Sequence, residues 1–135
     1  MFTHEFKKRV RYAETDKMGY LYYGRYATLY EIGRVEWLRN IGISYRELED
    51  VHGVILPVLS VESRFLKPAY YDEELTIIST VNEIPTKMII FYHEILNGKE
   101  EKIHTGIVKL FFIDIKSNKR VSLPSLIKNA MESAK

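Results

Sequence analysis

The 135-residue sequence contains no cysteine. This absence excludes disulfide bonds, a thiolate nucleophile and thiolate metal ligands. No apolar run approaches the length needed to cross a membrane, and the N-terminus lacks the pattern of a signal peptide. The formal net charge is only +2 and the basic residues are scattered, so no tract is typical of nucleic-acid binding. We therefore expect a cytoplasmic protein with no nucleic-acid and no membrane partner.

Motifs for metal or phosphate binding are also missing. The four histidines lie far apart in the sequence, and none has the spacing of a metal ligand pair. There is no glycine-rich phosphate loop and no G-x-S-x-G motif around a nucleophilic serine. We expect no metal and no cofactor.

The stretch 12–40 carries the strongest pattern that is present. Its first half is polar and turn-like. Its second half predicts a long helix, because apolar residues recur at helical spacing on one face: Tyr26, Leu29, Tyr30, Gly33, Trp37 and Ile41. Glycine inside a helix costs about 1 kcal/mol relative to alanine, so we expect another element to pack closely against Gly33. The other side of this helix is also partly apolar, which indicates that other structure wraps it.

Period-two patterns predict strands at 2–12, 55–66, 74–84, 87–96 and 101–115. Asn97-Gly98 predicts a two-residue hairpin turn between the last two strands. We expect one face of the strand at 55–66 to carry Leu59, Val61 and Phe65. We expect one face of the strand at 101–115 to carry Ile103, Ile107, Phe111 and Ile113.

Two further helices complete the prediction. Ser44 and Glu47 form a capping-box pattern that predicts a short helix at 45–51, and Pro124 precedes a helix at 125–134. Because consecutive strands are joined by short turns, we expect an antiparallel meander. The sequence thus predicts one α+β domain, residues 1–135, in which a curved antiparallel sheet is wrapped around one long central helix.

Asp16 is the residue best placed for chemistry, because it lies in a loop just before the long helix. The first N–H groups of a helix are unpaired and carry partial positive charge, so they could stabilise an oxyanion. A carboxylate opposite them, in a site shaped by Tyr20, Tyr22 and Tyr23, could attack a carbonyl or activate a water. Asp16 could equally be an Asx-turn residue, and the local residues alone leave both interpretations open.

The segment DKMGYLYYGRY at 16–26, followed by Glu31 and RVEWL at 34–38, resembles the signature of hotdog-fold thioesterases. The nearest branch is the 4-hydroxybenzoyl-CoA thioesterase-like acyl-CoA hydrolases. RFLKPA at 64–69 and the following Asp72 also fit this pattern. The resemblance covers nearly the whole chain, and the segment from the aspartate to the helix is its most specific part.

This resemblance implies a hotdog fold in which two subunits join edge to edge, with active sites at the interface. Such dimers often pair again, so we expect a homodimer or a homotetramer. Asp16 would be the catalytic carboxylate, as nucleophile or general base, and the backbone N–H of Tyr23 would polarise the thioester carbonyl. Residues expected to bind the substrate are Gly19, Tyr22, Gly24, Arg25, Tyr26, Arg64, Lys67 and Lys87.

One position departs from the family pattern. Arg25 stands where these enzymes usually have an asparagine. The residue at position 23 is a tyrosine, so a mechanism that needs histidine there is excluded.

The function implied by the resemblance is hydrolysis of an acyl-CoA to a free acid and coenzyme A. Two alternatives stay open: a thioesterase acting on acyl carrier protein, and a non-catalytic module that binds acyl thioesters.

Overall fold

The computed structural model describes residues 1–134. The elements follow in chain order as β1 (Phe2–Arg9), α1 (Tyr26–Asn40), α2 (Tyr45–Asp50), β2 (Val54–Ile55), β3 (Val58–Phe65), β4 (Glu74–Val81), β5 (Met88–Leu96), β6 (Lys102–Phe111), β7 (Ile113–Asp114), β8 (Lys119–Arg120) and α3 (Ser125–Ser133). The main sheet has five strands in the order β1-β4-β5-β6-β3, and every neighbouring pair is antiparallel. Strands β2, β7 and β8 form a second small sheet.

Helix α1 packs against one face of the five-stranded sheet through the predicted stripe. Its buried residues include Tyr26, Leu29, Tyr30, Gly33 and Trp37. The predicted α+β architecture, an antiparallel sheet with one long central helix, is therefore confirmed.

Two glycines allow the helix and the sheet to approach closely. A Cβ added to Gly33 would lie 2.5 Å from the Ser79 hydroxyl oxygen on β4, and a Cβ added to Gly106 on β6 would overlap the ring of Tyr30. The expectation of close packing at Gly33 is confirmed, and Gly106 is its counterpart on the sheet.

The predicted meander is correct for β4, β5 and β6 but wrong for β3. Strand β3 pairs with β6 at one edge of the sheet, while β4 pairs with β1 at the other edge. The connection between β3 and β4 runs over residues 66–73, which is too long for a tight hairpin, and it crosses the end of the sheet. Because of this crossing, β3 is an edge strand.

The position of β3 changes the expected burial of its apolar residues. Phe65 contacts Tyr26 and Ser63 contacts Tyr30, so Val61 and Phe65 share the helix side of the strand, as predicted. Every residue of β3 is nevertheless exposed in the single chain. Val61 is 48% exposed and Phe65 is 54% exposed.

Ile107 and Phe111 share one face of β6, as predicted, but that face is only half-buried. The fully buried face carries His104, Gly106, Val108 and Leu110. Ile103 is buried next to a register irregularity of the β5–β6 pair, and Ile113 belongs to β7. A glycine and a histidine occupy inward positions because they face Tyr30 and Tyr26. The apolar alternation therefore indicates the outer face.

The Asn97-Gly98 hairpin is present, but its loop is longer than two residues. β5 ends at Leu96 and β6 begins at Lys102. The Asn97 side-chain oxygen accepts hydrogen bonds from the amides of Lys99 and Glu101, both at 2.9 Å. The asparagine thus shapes a wider turn. Within residues 1–134, no helix is long and apolar enough to cross a membrane.

Candidate active site

The loop that carries Asp16 is a compact turn. The Asp16 amide donates to the Tyr20 carbonyl at 2.8 Å, and the Gly19 amide donates to the Asp16 carbonyl at 3.0 Å. Gly19 has a φ of 85°, a conformation that favours glycine. Its role is therefore to close the turn. The loop is held from outside by the crossing segment 66–73, since the Leu21 amide donates to the Ala69 carbonyl at 2.8 Å.

The two oxygens of the Asp16 carboxylate have different environments. Oδ1 accepts hydrogen bonds from the amides of Met18 at 2.9 Å and Tyr20 at 3.2 Å. Oδ2 has no hydrogen-bond partner among the residues that the structure describes. Asp16 is therefore an Asx-turn residue through one oxygen, while the other oxygen is available for chemistry. The two interpretations of this aspartate are compatible.

The helix that follows presents its unpaired N–H groups next to the loop. A single 3-10 turn at Tyr23–Arg25 leads directly into α1. In residues 1–134 the amides of Tyr23 and Gly24 donate to no protein acceptor, whereas the amides of Tyr22 and Arg25 donate to the carbonyls of Glu14 and Tyr22. Any side chain at position 24 would meet the Tyr22 ring, since an added Cβ would lie 2.6 Å from that ring. The N-terminus of α1 is therefore free to bind a carbonyl oxygen.

A cleft of about 290 Å³ lies between the Asp16 loop, the start of α1 and the end of β3. The residues that line this cleft include the charged side chains of Asp16 and Lys67. They also include four aromatic side chains: Tyr20, Tyr23, Tyr26 and Phe65. The structure thus brings together Asp16, Tyr23, Tyr26 and Lys67 from the predicted set. Burial, with smaller effects of Tyr30 and Glu73, raises the pKa of Tyr26 to about 12, so this phenol is neutral.

Arg25 lies beside the cleft and braces the loop. Its guanidinium donates to the Ala13 carbonyl at 3.3 Å. The adjacent Glu14 accepts from Lys8 at 2.8 Å and from the Arg11 amide at 2.7 Å. Burial would raise the pKa of Glu14, but these bonds and the nearby cations hold it below its ordinary value. In this chain the arginine therefore supports the same loop that presents Asp16.

The remaining basic residues are dispersed. Lys67 lines the cleft and forms an ion pair with Glu101 at 2.7 Å. Arg64 is exposed on β3, on the face opposite Phe65. Lys87 lies before β5 and shares a separate depression of about 330 Å³ with Arg120, Val121 and Ser122.

The distance of Lys87 from the cleft follows from the strand register. Phe65 pairs with His104 at one end of β6, and Met88 pairs with Phe111 at the other end. These two ends are separated by seven residues, or about 23 Å at the rise of an antiparallel strand. Lys87 therefore cannot reach the cleft of its own chain.

Sequence analysis gave no role in the site to two residues at the cleft. Phe65 was predicted on one face of a strand and within the 64–69 segment of the resemblance, and it forms part of the cleft wall. His104 lies directly beneath that wall, stacked on Tyr26 with ring centroids 4.0 Å apart. No sequence motif includes His104, and only the β3–β6 register reveals its position next to Phe65.

The fold and the cleft define a hotdog-fold thioesterase, as the resemblance in the sequence implied. The family model of the thioesterase-like superfamily matches residues 10–131, and the chain belongs to that superfamily.

Individual relatives agree with this assignment. A crystal structure of a DHNA-CoA thioesterase from Staphylococcus aureus is similar with a TM-score of 0.91 and 30% identity, covering 99% of this chain and 91% of that one. An acyl-CoA thioesterase of Haemophilus influenzae is 25% identical over 96% of this chain and 95% of that protein. A 1,4-dihydroxy-2-naphthoyl-CoA hydrolase of Thermosynechococcus vestitus is 22% identical over 96% and 92%.

Proposed function

We propose that the protein hydrolyses acyl-CoA thioesters to a free carboxylic acid and coenzyme A, with Asp16 as the catalytic carboxylate. The proposal rests on one observation. A carboxylate oxygen of Asp16 and the N–H of Tyr23, neither of which has a hydrogen-bond partner among the described residues, belong to residues that line the same cleft. The relatives support the substrate class, because the protein of Haemophilus influenzae is named an acyl-CoA thioesterase and that of Thermosynechococcus vestitus a 1,4-dihydroxy-2-naphthoyl-CoA hydrolase.

The geometry suggests a role for each group. The Tyr23 N–H binds the thioester carbonyl oxygen and stabilises the negative charge that develops there. Asp16 Oδ2 either attacks the carbonyl carbon or takes a proton from a water that attacks it. In the first route the thiolate of coenzyme A leaves, and water then hydrolyses the mixed anhydride to release the acid and restore Asp16. In the second route the oxygen of water bonds to the carbonyl carbon, the C–S bond breaks, and the proton held by Asp16 passes to the departing thiolate. In both routes the hydrogen bonds to Oδ1 hold the carboxylate in one orientation.

The exposed edge strand β3 supports assembly into a dimer. Unpaired backbone groups along an edge strand favour pairing with another strand, and a two-fold axis pairs identical edges antiparallel. The half-exposed side chains of Val61 and Phe65 would then be covered by a second copy. Further pairing of such dimers into a homotetramer stays a prediction.

Such a dimer would give Lys87 a role despite its distance from the cleft of its own chain. Antiparallel pairing of the β3 edges brings the Lys87 end of a second copy toward the Phe65 end of the first. Lys87 and Arg120 could then neutralise the phosphates of the nucleotide. Lys67 and Arg64, which lie at the Phe65 end, could contribute from the first copy. The predicted location in the cytoplasm stays a prediction.

Kinetics with Asp16→Asn test the proposal. The substitution keeps the size of the side chain and removes the anionic oxygen. We expect kcat on acyl-CoA to fall at least about 10²-fold, as for the loss of a general base or nucleophile. Asp50→Asn is a matched control, because Asp50 lies on α2 in an exposed pair with Arg46 at 3.5 Å. Turnover of Asp16→Asn equal to that of the control would refute the catalytic role.

The same assay separates the two alternatives. A panel of acyl-CoA and acyl-carrier-protein thioesters is offered to the wild-type protein, and released thiol is measured. Hydrolysis of acyl-carrier-protein thioesters alone would identify the first alternative. Binding of acyl-CoA without any release of thiol would identify a non-catalytic module.

A further inference from the structure

His104 lies beneath the aromatic wall of the cleft. Its ring stacks on Tyr26, with centroids 4.0 Å apart and an interplanar angle of 21°. Phe65 meets the same ring edge-on at 4.7 Å and 73°. Tyr26 and Phe65 also contact each other at 5.2 Å. The two rings that face the acyl cleft therefore rest on one buried imidazole.

A hydrogen bond fixes the position of that imidazole. His104 Nε2 is bonded to the Tyr30 hydroxyl, which also bonds the Ser63 hydroxyl at 2.7 Å. These three residues lie on β6, α1 and β3, respectively. The network thus connects α1, which contains Tyr26, with β3, which contains Phe65.

Stability alone does not account for a histidine at this position. The ring is fully buried, and its Nδ1 has no hydrogen-bond partner within the described part of the chain. The free energy of leaving a buried polar atom unpaired is at least comparable with that gained from one neutral hydrogen bond. A phenylalanine of similar shape would avoid this penalty and would keep the stacking.

We propose that His104 is a positioning residue that holds the rings of Tyr26 and Phe65 in place and so determines which acyl groups the cleft accepts. The proposal rests on the function proposed above. The ring contacts with His104 fix the orientation of the Tyr26 and Phe65 rings. The hydrogen bond to Tyr30 prevents the imidazole from shifting beneath these two rings. His104 touches neither the reacting carbonyl nor Asp16, so it acts through the shape of the wall.

Three variants test the role of His104. His104→Phe keeps an aromatic ring and removes the hydrogen bond to Tyr30. Tyr30→Phe removes the same bond together with the bond to the Ser63 hydroxyl. His93→Phe is the matched control. His93 is also buried, bonds the Ser79 hydroxyl at 2.8 Å and has an unpaired ring nitrogen. Its ring stacks on Tyr30 and on Phe91, with centroids 5.2 and 5.9 Å apart, but it does not bond the Tyr30 hydroxyl and contacts neither cleft ring.

The measured quantity is the ratio of kcat/KM between a small aliphatic and a bulky aromatic acyl-CoA. We expect His104→Phe and Tyr30→Phe each to change this ratio about tenfold, within the range of pocket-shape discrimination. The change should appear mainly in KM. The double variant should show no further change relative to Tyr30→Phe, because that substitution has already removed the hydrogen bond that His104→Phe removes. His93→Phe should leave the ratio as in the wild type.

Two kinetic results would overturn the proposal. An equal loss on both substrates would show that His104 only supports folding. A change of the ratio in His93→Phe as large as in His104→Phe would show that any buried histidine has this effect.

An NMR measurement without substrate separates this inference from the proposed function. The Tyr26 ring signals, assigned with Tyr26→Phe, should broaden or average in His104→Phe and not in His93→Phe. Wild-type protein that hydrolyses no acyl-CoA would refute the proposed function, while unchanged Tyr26 signals in His104→Phe would refute the positioning role.

Discussion

Acidification between pH 8 and pH 5 should destabilise the protein through its two buried histidines. Burial is the main cause that lowers the pKa of His93 from 6.5 to about 3 and the pKa of His104 from 6.5 to about 4. Both are therefore neutral in the folded protein across this range, whereas unfolded histidines take up protons below pH 6.5. The stability that depends on these two neutral histidines is fully present above pH 6.5. It is lost as the pH falls from 6.5 toward the folded pKa values.

The magnitude follows from the difference in protonation. Each unit of pH below the unfolded pKa costs about 1.4 kcal/mol for each histidine that stays neutral when folded. At pH 5 the difference is about 1.5 units, or about 2 kcal/mol per histidine and about 4 kcal/mol for the pair. This is a large share of the roughly 5–15 kcal/mol that stabilise a typical domain.

Equilibrium urea unfolding at pH 8, 7, 6 and 5 measures this loss. Protein concentration must be kept constant, because the apparent stability of a protein that associates depends on its concentration. The pKa values of Glu14, Glu101 and Asp114 are lowered from ordinary values of 4.5, 4.5 and 3.8. The stability that these three carboxylates contribute is lost only as the pH falls through those ordinary values toward the lower folded ones, so it changes little between pH 8 and pH 5.

His104→Phe provides the internal comparison. It removes one of the two titrating groups, so the loss between pH 8 and pH 5 should be halved to about 2 kcal/mol. A wild-type free energy of unfolding that is constant over this range would refute the assignment of neutral buried histidines. A loss in His104→Phe equal to that in the wild type would show that His104 does not contribute.

Three other expected outcomes concern packing, assembly and substrate binding. Gly33→Ala should lower the free energy of unfolding by about 1–3 kcal/mol in a urea titration, because the added methyl group meets Ser79; a gain in stability would contradict close packing. Val61→Asp should place a charge on each side of the paired β3 edges and give monomers by light scattering, and an unchanged mass would contradict pairing through β3. Lys87→Ala should raise KM for an acyl-CoA and not for the acyl-pantetheine thioester that lacks the nucleotide, and equal increases on both would contradict phosphate binding.

Local spacing was sufficient to predict the central helix and its buried face. The positions from Tyr26 to Trp37 repeat at 3.6 residues, and this period depends only on neighbouring residues. The neighbour of β3 could not be predicted in the same way, because strand order depends on contacts between distant parts of the chain. The face of β6 was obscured by Gly106 and His104, since neither residue has the apolar side chain expected at an inward position.

The residues of the candidate site also differ in whether local sequence patterns could predict them. Asp16 and Tyr23 belong to one continuous motif, so sequence alone placed them together at the start of α1. Phe65 reaches the cleft because β3 lies beside β6 at the edge of the sheet. Lys87 belongs to the opposite end of the sheet, and no local pattern could show that separation.

The two glycines at the helix–sheet contact restrict how this protein could be engineered. Gly33 gives space to Ser79, and Gly106 gives space to the ring of Tyr30. A shift of α1 by one residue along its helical screw, about 1.5 Å along the axis with a rotation of about 100°, would bring Ile32 or Arg34 to the close contact that Gly33 makes with Ser79. The helix therefore has a single axial position, and the N–H groups at its start have a fixed height above the sheet. Attempts to broaden the acyl range should alter the loop 13–24 or the segment 66–73, because the helix itself cannot move to make room.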